Sequence, residues 1–126
     1  MINKKEGLVG RAYGFFQCSA SKREIEAELP KLREAARTPS QLELTLIEGM
    51  DNVNVDERLD GFAQEEKKDG INYMLQAKGS NLTNKGVANE VADVLNQTYQ
   101  SNLYKPKESF NGDIVYEENG RYVFRE

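Results

Sequence analysis

The chain has 126 residues and a net charge of −4 at pH 7, with one cysteine, no histidine and no tryptophan. This length predicts one domain over residues 1–126. The absence of histidine excludes a Ser–His or Cys–His nucleophile pair and any metal site that uses imidazole. The acidic balance argues against general nucleic-acid binding, so a nucleic-acid partner is not the first expectation.

The sequence also bears on location and cofactors. No stretch approaches the roughly 18 consecutive apolar residues of a membrane span. The N-terminal residues MINKKEG have no apolar signal core, and one cysteine is typical of a reducing compartment. We therefore expect a cytoplasmic protein with no membrane partner, no cofactor and no metal.

Residues 8–23, LVGRAYGFFQCSASKR, predict a first strand that leads directly into a helix. Side chains alternate from Arg11 onward, because a strand has a period of two. One face is small or apolar and is predicted to form the core: Ala12, Gly14, Phe16 and Cys18. The other face is aromatic with polar ends: Arg11, Tyr13, Phe15 and Gln17. Ser21 and Glu24 have the spacing of a capping box, which predicts a helix from about Lys22 to Arg37.

The later elements follow from the same periodicities. They are a strand at Gln41–Glu48, a helix at about Val55–Lys68, a strand at Ile71–Lys78 and a helix at about Asn84–Gln100. Asn119-Gly120 between apolar runs predicts a terminal hairpin, with Val115 opposite Phe124.

The order of elements is therefore β-α-β-α-β-α-β-β. Strands two and three alternate cleanly between apolar and polar residues, which favours antiparallel strands covered by helices on one face. We predict an α+β fold: a ferredoxin-like two-layer sandwich with a mostly antiparallel or mixed sheet and a C-terminal hairpin. The alternative is a small doubly wound α/β fold with a parallel sheet.

The face without helices carries a group of apolar residues that predicts an interface: Tyr13, Phe15, Ile47 and Met74. Closed twofold dimers are the commonest oligomers, so we expect a homodimer through this face. The alternative is that the C-terminal segment of the same chain covers it.

A second candidate site lies where the first strand meets the first helix. A helix N-terminus presents free backbone N–H groups, which favour an anion. Lys22 and Arg23 occupy positions where acidic residues are usual, and rule-breaking residues are enriched at functional sites. We therefore predict a small anionic ligand at Ser19, Ser21, Lys22 and Arg23; the alternative is a solvated basic pair.

Residues 11–18, RAYGFFQC, resemble the RNP1 octamer of RNA-recognition motifs. Arg11, Tyr13, Gly14 and Phe15 match the pattern, whereas Ala12, Phe16 and Cys18 do not. The resemblance covers only this octamer and implies that the matching aromatic rings stack on RNA bases.

The leading hypothesis is a small non-catalytic binding or regulatory module that self-associates through its open sheet face. One alternative is anion binding or an enzymatic role at the loop after the first strand. The second alternative is RNA binding. The sequence assembles no catalytic group, which argues against an enzyme.

Overall fold

The secondary structure comes from a computed structural model that describes residues 7–48, 57–59, 70–104 and 112–125. The strands are β1 (Val9–Cys18), β2 (Leu42–Glu48), β3 (Ile71–Ser80), β4 (Asp113–Glu118) and β5 (Arg121–Phe124). The helices are α1 (Lys22–Arg33) and α2 (Asn84–Gln100). Two short 3₁₀ turns lie at Pro39–Gln41 and Glu57–Leu59.

Within the described ranges, five strands form one sheet in the order β2-β3-β1-β4-β5, and their four pairings are all antiparallel. Both helices cover the same face, because Ile25 of α1 and Val91 of α2 share one core with Ala12 and Phe16 of β1. The predicted α+β class is therefore confirmed. The doubly wound alternative is wrong, since that fold requires a largely parallel sheet.

The capping box of α1 forms as predicted. The Ser21 hydroxyl accepts a hydrogen bond from the Glu24 N–H at 3.2 Å, and the Glu24 carboxylate accepts one from the Ser21 N–H at 3.0 Å. The helix ends at Arg33 rather than at Arg37. The buried Glu90 carboxylate of α2 accepts hydrogen bonds from the N–H groups of Arg37 (3.0 Å) and Thr38 (2.9 Å). These N–H groups therefore bond to α2 and do not continue the hydrogen bonding of α1.

The predicted bounds of α2 are confirmed, and its first turn is capped by the Thr83 hydroxyl, which accepts from the Gly86 N–H at 3.0 Å. The terminal hairpin is confirmed in both turn and register. Asn119 and Gly120 have φ angles of 54° and 79°, and Val115 lies opposite Phe124. These two elements depend on local signals, which is why the sequence predicts them closely.

Most of the helix predicted at Val55–Lys68 lies outside the described residues. Within it, Glu57–Leu59 forms a 3₁₀ turn. Leu59 of this turn is fully buried on the sheet face opposite the helices. There it joins a second cluster made of Tyr13, Phe15, Leu59, Met74 and Val115.

Candidate functional site

The outer edge of β2 is the first component of the candidate site, because β2 is a terminal strand of the sheet. The N–H of Leu42 donates to the carbonyl of Pro39, and its carbonyl accepts from Nη1 of Arg33 at 3.5 Å. Both backbone groups of Leu42 thus point away from β3. Since direction alternates along a strand, the N–H and C=O groups of Leu44, Leu46 and Glu48 point outward too.

These outward groups offer a row of backbone donors and acceptors. In the part of the chain that the structure describes, no backbone hydrogen bond outside the β2–β3 ladder reaches Leu44 or Leu46. Unpaired edges of this kind are templates for the addition of another strand. The free stretch is short and carries acidic side chains at Glu43 and Glu48, which limits unspecific pairing.

A groove of about 360 Å³ runs beside this edge, between α1 and β2, and we call it the α1–β2 groove. Its lining comes from one stripe of α1 and from the centre of β2: Glu26, Leu29, Pro30, Arg33, Leu44, Thr45 and Leu46. Pro30 has no N–H to donate to the carbonyl of Glu26, so the groove wall includes a helix carbonyl without its usual donor. A groove lined partly by leucine and proline, beside a strand edge that no other described strand pairs, suits an added polypeptide segment.

Arg33 lies at one end of the α1–β2 groove and is only half-buried as a residue. Its Nε atom is nevertheless buried, and no described residue accepts a hydrogen bond from it. A buried donor without an acceptor raises the free energy of the folded state, because its hydrogen bonds to water are lost and no protein acceptor replaces them. The arrangement therefore provides a cationic group that an added acceptor would satisfy.

A second, more polar groove of about 630 Å³ adjoins the same end of β2. Its charged lining residues are Arg11, Arg33, Lys78 and Glu43. Arg11 lies directly opposite Lys78 in the β1–β3 ladder, and Lys78 lies opposite Glu43 in the β2–β3 ladder. Positive charge is therefore in excess at this end of the edge, although the protein as a whole is acidic.

The structure brings the four predicted interface residues together on the face opposite the helices. Tyr13, Phe15 and Met74 are 7%, 6% and 1% exposed, and Ile47 is half-buried against them. Leu59 covers this face, and its neighbour Arg58 contacts β4 and β5 through Glu117 (2.6 Å) and the ring of Tyr122 (4.9 Å). A dimer interface at these four residues stays a prediction.

The predicted anion residues lie at the start of α1. Ser19 and Arg23 are exposed, and Ser21 and Lys22 are half-buried. The Ser21 hydroxyl is the helix cap, and the Glu24 carboxylate already occupies the Ser21 N–H. A negative side chain therefore sits where the anion was expected, and anion binding at these residues stays a prediction.

The RNP1-like octamer forms most of β1. Tyr13 and Phe15, the aromatic residues expected to stack on RNA bases, are buried in the second cluster, where Tyr13 also packs edge-on against Tyr122 at 6.0 Å. Base stacking needs an accessible ring face. RNA binding stays a prediction.

Two further absences concern the described residues alone. In residues 7–48, 57–59, 70–104 and 112–125, no group of three or more Cys, Asp or Glu side chains could hold a metal ion. Over the same ranges, neither helix has the length and apolar character required to cross a membrane.

Tyr73 is a buried titratable group near the end of β2. Its hydroxyl donates to the carbonyl of Ala20 at 2.6 Å. Burial raises the pKa of this phenol well above its usual value, and the nearby Cys18 and Glu48 add to the rise. The phenol therefore remains a protonated donor in the folded state.

This pKa shift predicts a loss of stability at alkaline pH. Above about pH 10 the phenol ionises in the unfolded chain but not in the folded one, so the free energy of unfolding falls by up to about 1.4 kcal/mol per pH unit. Tyr73→Phe should cost about 1 kcal/mol at neutral pH, through the lost hydrogen bond, and should show a shallower alkaline decline. Urea denaturation between about pH 8 and about pH 11 measures both effects. Tyr99→Phe, at an exposed ring, should follow the wild type; equal alkaline slopes in wild type and Tyr73→Phe would contradict the assignment.

Sequence reasoning missed the groups that make up this candidate site, namely the β2 edge with Leu29, Pro30 and Arg33. A signal existed in α1, where residues 26, 29, 30 and 33 recur at helical spacing as a second stripe beside the one that faces the core. The edge position of β2 had no such signal. The residue pattern of a single strand does not indicate where that strand lies in the sheet.

Comparisons of the chain with protein-family models, with curated proteins and with solved structures find no match.

Proposed function

We propose that the chain is a small non-catalytic binding module that self-associates by pairing the outer edge of β2 with the β2 edge of a second copy. The observation that carries the proposal is the pair of outward backbone positions at Leu44 and Leu46, which no backbone group of the described ranges bonds outside the β2–β3 ladder. They lie beside a partly apolar groove, so an added strand would gain both backbone hydrogen bonds and side-chain burial.

The proposal includes a ferredoxin-like fold with one added edge strand. The order β4-β1-β3-β2, with α1 connecting β1 to β2 and α2 connecting β3 to β4, supports it. In this arrangement β5 extends the sheet beyond β4, so β2 forms the opposite edge. The two edges then differ, which favours a closed twofold pairing of β2 with itself over an open chain of molecules.

The edge is a better candidate for self-association than the face that holds Tyr13 and Phe15. That face is filled by Leu59 from the same chain, whereas the β2 edge has no such cover among the described residues. Association through the face would require Leu59 to leave a fully buried position.

Leu44→Pro tests the proposal, because proline removes the outward N–H and leaves the β2–β3 ladder intact. Leu44→Val is the matched control, since it also shortens the side chain but keeps the N–H. We expect wild type and Leu44→Val to form dimers and Leu44→Pro to be monomeric. Light scattering from about 1 µM to about 1 mM, with circular dichroism to verify folding, measures this.

Two results would overturn the proposal. One is a wild-type protein that stays monomeric over the whole concentration range. The other is a Leu44→Pro variant that is folded and as dimeric as the wild type, which would place the interface elsewhere.

A further inference from the structure

We infer that the two copies meet with a twofold axis at Thr45, and that Arg33 of each copy pairs with Glu48 of the other. This inference rests on the proposed self-association and specifies its register and its selectivity. It is carried by two observations: the direction of the backbone groups along β2, and the Nε of Arg33, which lacks an acceptor in the described part of the chain.

The register follows from the length and direction of the strand. When Leu42–Glu48 lies antiparallel to its own copy over its full length, residue 42 lies opposite 48, residue 44 opposite 46, and Thr45 opposite Thr45. The backbone groups of Leu42 stay bonded to Pro39 and Arg33 of their own chain. Leu44 and Leu46 both direct their backbone groups outward, so the two pairs they form are hydrogen-bonded pairs. Each such pair exchanges two N–H···O=C bonds.

The charges of the strand agree with this register. Glu48 of the second copy lies opposite Leu42, the residue whose carbonyl accepts from Arg33. Residues 42 and 48 share the helix side of the sheet, because side chains alternate along β2 and Leu42 belongs to the main core. The Glu48 carboxylate, which is exposed in the single chain, is thereby placed beside the Arg33 guanidinium.

This pairing provides a hydrogen-bond acceptor for the Arg33 guanidinium. Its buried Nε has no acceptor among the residues that the structure describes, and a carboxylate is the acceptor that a guanidinium binds best. The register also keeps like charges apart, since Glu43 lies opposite Ile47 of the second copy. Moving the axis to Leu44 or Leu46 shortens the overlap and removes Glu48 from the position opposite Leu42.

A charge-exchange experiment tests the ion pair. We expect Arg33→Glu and Glu48→Arg each to weaken the dimer by about tenfold or more, and the double variant to recover most of the affinity. Lys31→Glu is the matched control, since it makes the same charge change at an exposed position of α1 outside the α1–β2 groove. It should dimerise like the wild type. Analytical ultracentrifugation measures the dissociation constant of each variant.

Cysteine crosslinking tests the position of the axis independently. At a non-hydrogen-bonded antiparallel pair the two Cα atoms are about 4.5 Å apart, which suits a disulfide. Thr45→Cys should therefore give a covalent dimer on mild oxidation. Glu43→Cys is the control and should not, because it lies opposite residue 47. Cys18 is buried and does not compete.

The outcomes distinguish a failure of the inferred register from a failure of the proposed edge association. A dimer that is lost in Leu44→Pro, but is neither rescued by the double charge exchange nor crosslinked at Thr45, overturns the register and leaves edge association in place. A wild type that is monomeric overturns both.

Discussion

Glu90→Ala is expected to lower the free energy of unfolding by about 2–4 kcal/mol. The Glu90 carboxylate is 3% exposed and accepts hydrogen bonds from the N–H groups of Arg37 and Thr38 and from the Thr38 hydroxyl. Its removal leaves these donors without an acceptor in a poorly hydrated place, and it releases the connection between α1 and β2 from α2. Urea denaturation at neutral pH measures the change.

Asp93→Ala is the matched control for this prediction. Asp93 lies one turn further along α2, and its carboxylate contacts Arg37 Nε at 3.7 Å in a partly exposed pair. Such pairs contribute about 0–1 kcal/mol, so this variant should remain close to the wild type. If both variants lost the same small amount of stability, Glu90 would not be the anchor of the connection.

Leu59→Ala is expected to lower the free energy of unfolding by about 2–4 kcal/mol. Leu59 is fully buried against Tyr13, Phe15, Met74 and Val115. Shortening it leaves a cavity in the second cluster, which the surrounding strands cannot close without disturbing the sheet. Thermal or urea unfolding gives the magnitude, and the near-ultraviolet circular dichroism of Tyr13 and Tyr122 reports the repacking.

Leu8→Ala removes the same atoms from a side chain that is 40% exposed and serves as the control. It should cost well under 1 kcal/mol, as surface substitutions usually do. A Leu59→Ala variant as stable as Leu8→Ala would mean that the 3₁₀ turn does not hold the second cluster in solution. The face with Tyr13 and Phe15 would then be open, and the predicted interface would become the stronger candidate.

Glu90 and Leu59 show where a sequence-based interpretation falls short. Glu90 lies in a helix whose bounds are predicted correctly, yet in the sequence its carboxylate resembles many other surface acids. Only the approach of residues 37 and 38 from another element buries it. Leu59 falls on the apolar stripe of a predicted helix, and nothing in the sequence indicates that its side chain fills the sheet face opposite α1 and α2.

What the sequence determined by itself is local. The capping box at Ser21, the cap at Thr83, the Asn119-Gly120 turn and the alternation of β1 and β3 all depend on groups within a few residues of each other, and all appear in the structure. The α+β class followed from the alternation of β2 and β3, because antiparallel strands with one covered face alternate and buried parallel strands do not.

The tertiary structure alone decided which strand lies at the edge and which face is filled. Both properties depend on the order of strands in the sheet and on where a distant turn packs, and these are set by contacts between residues far apart in the chain. The face predicted to be open is filled by Leu59, while the backbone groups that no described residue pairs lie at Leu44 and Leu46 of the terminal strand. A strand carries the same side-chain pattern at the edge of a sheet as in its interior, so its free backbone groups become visible only once its neighbours are known.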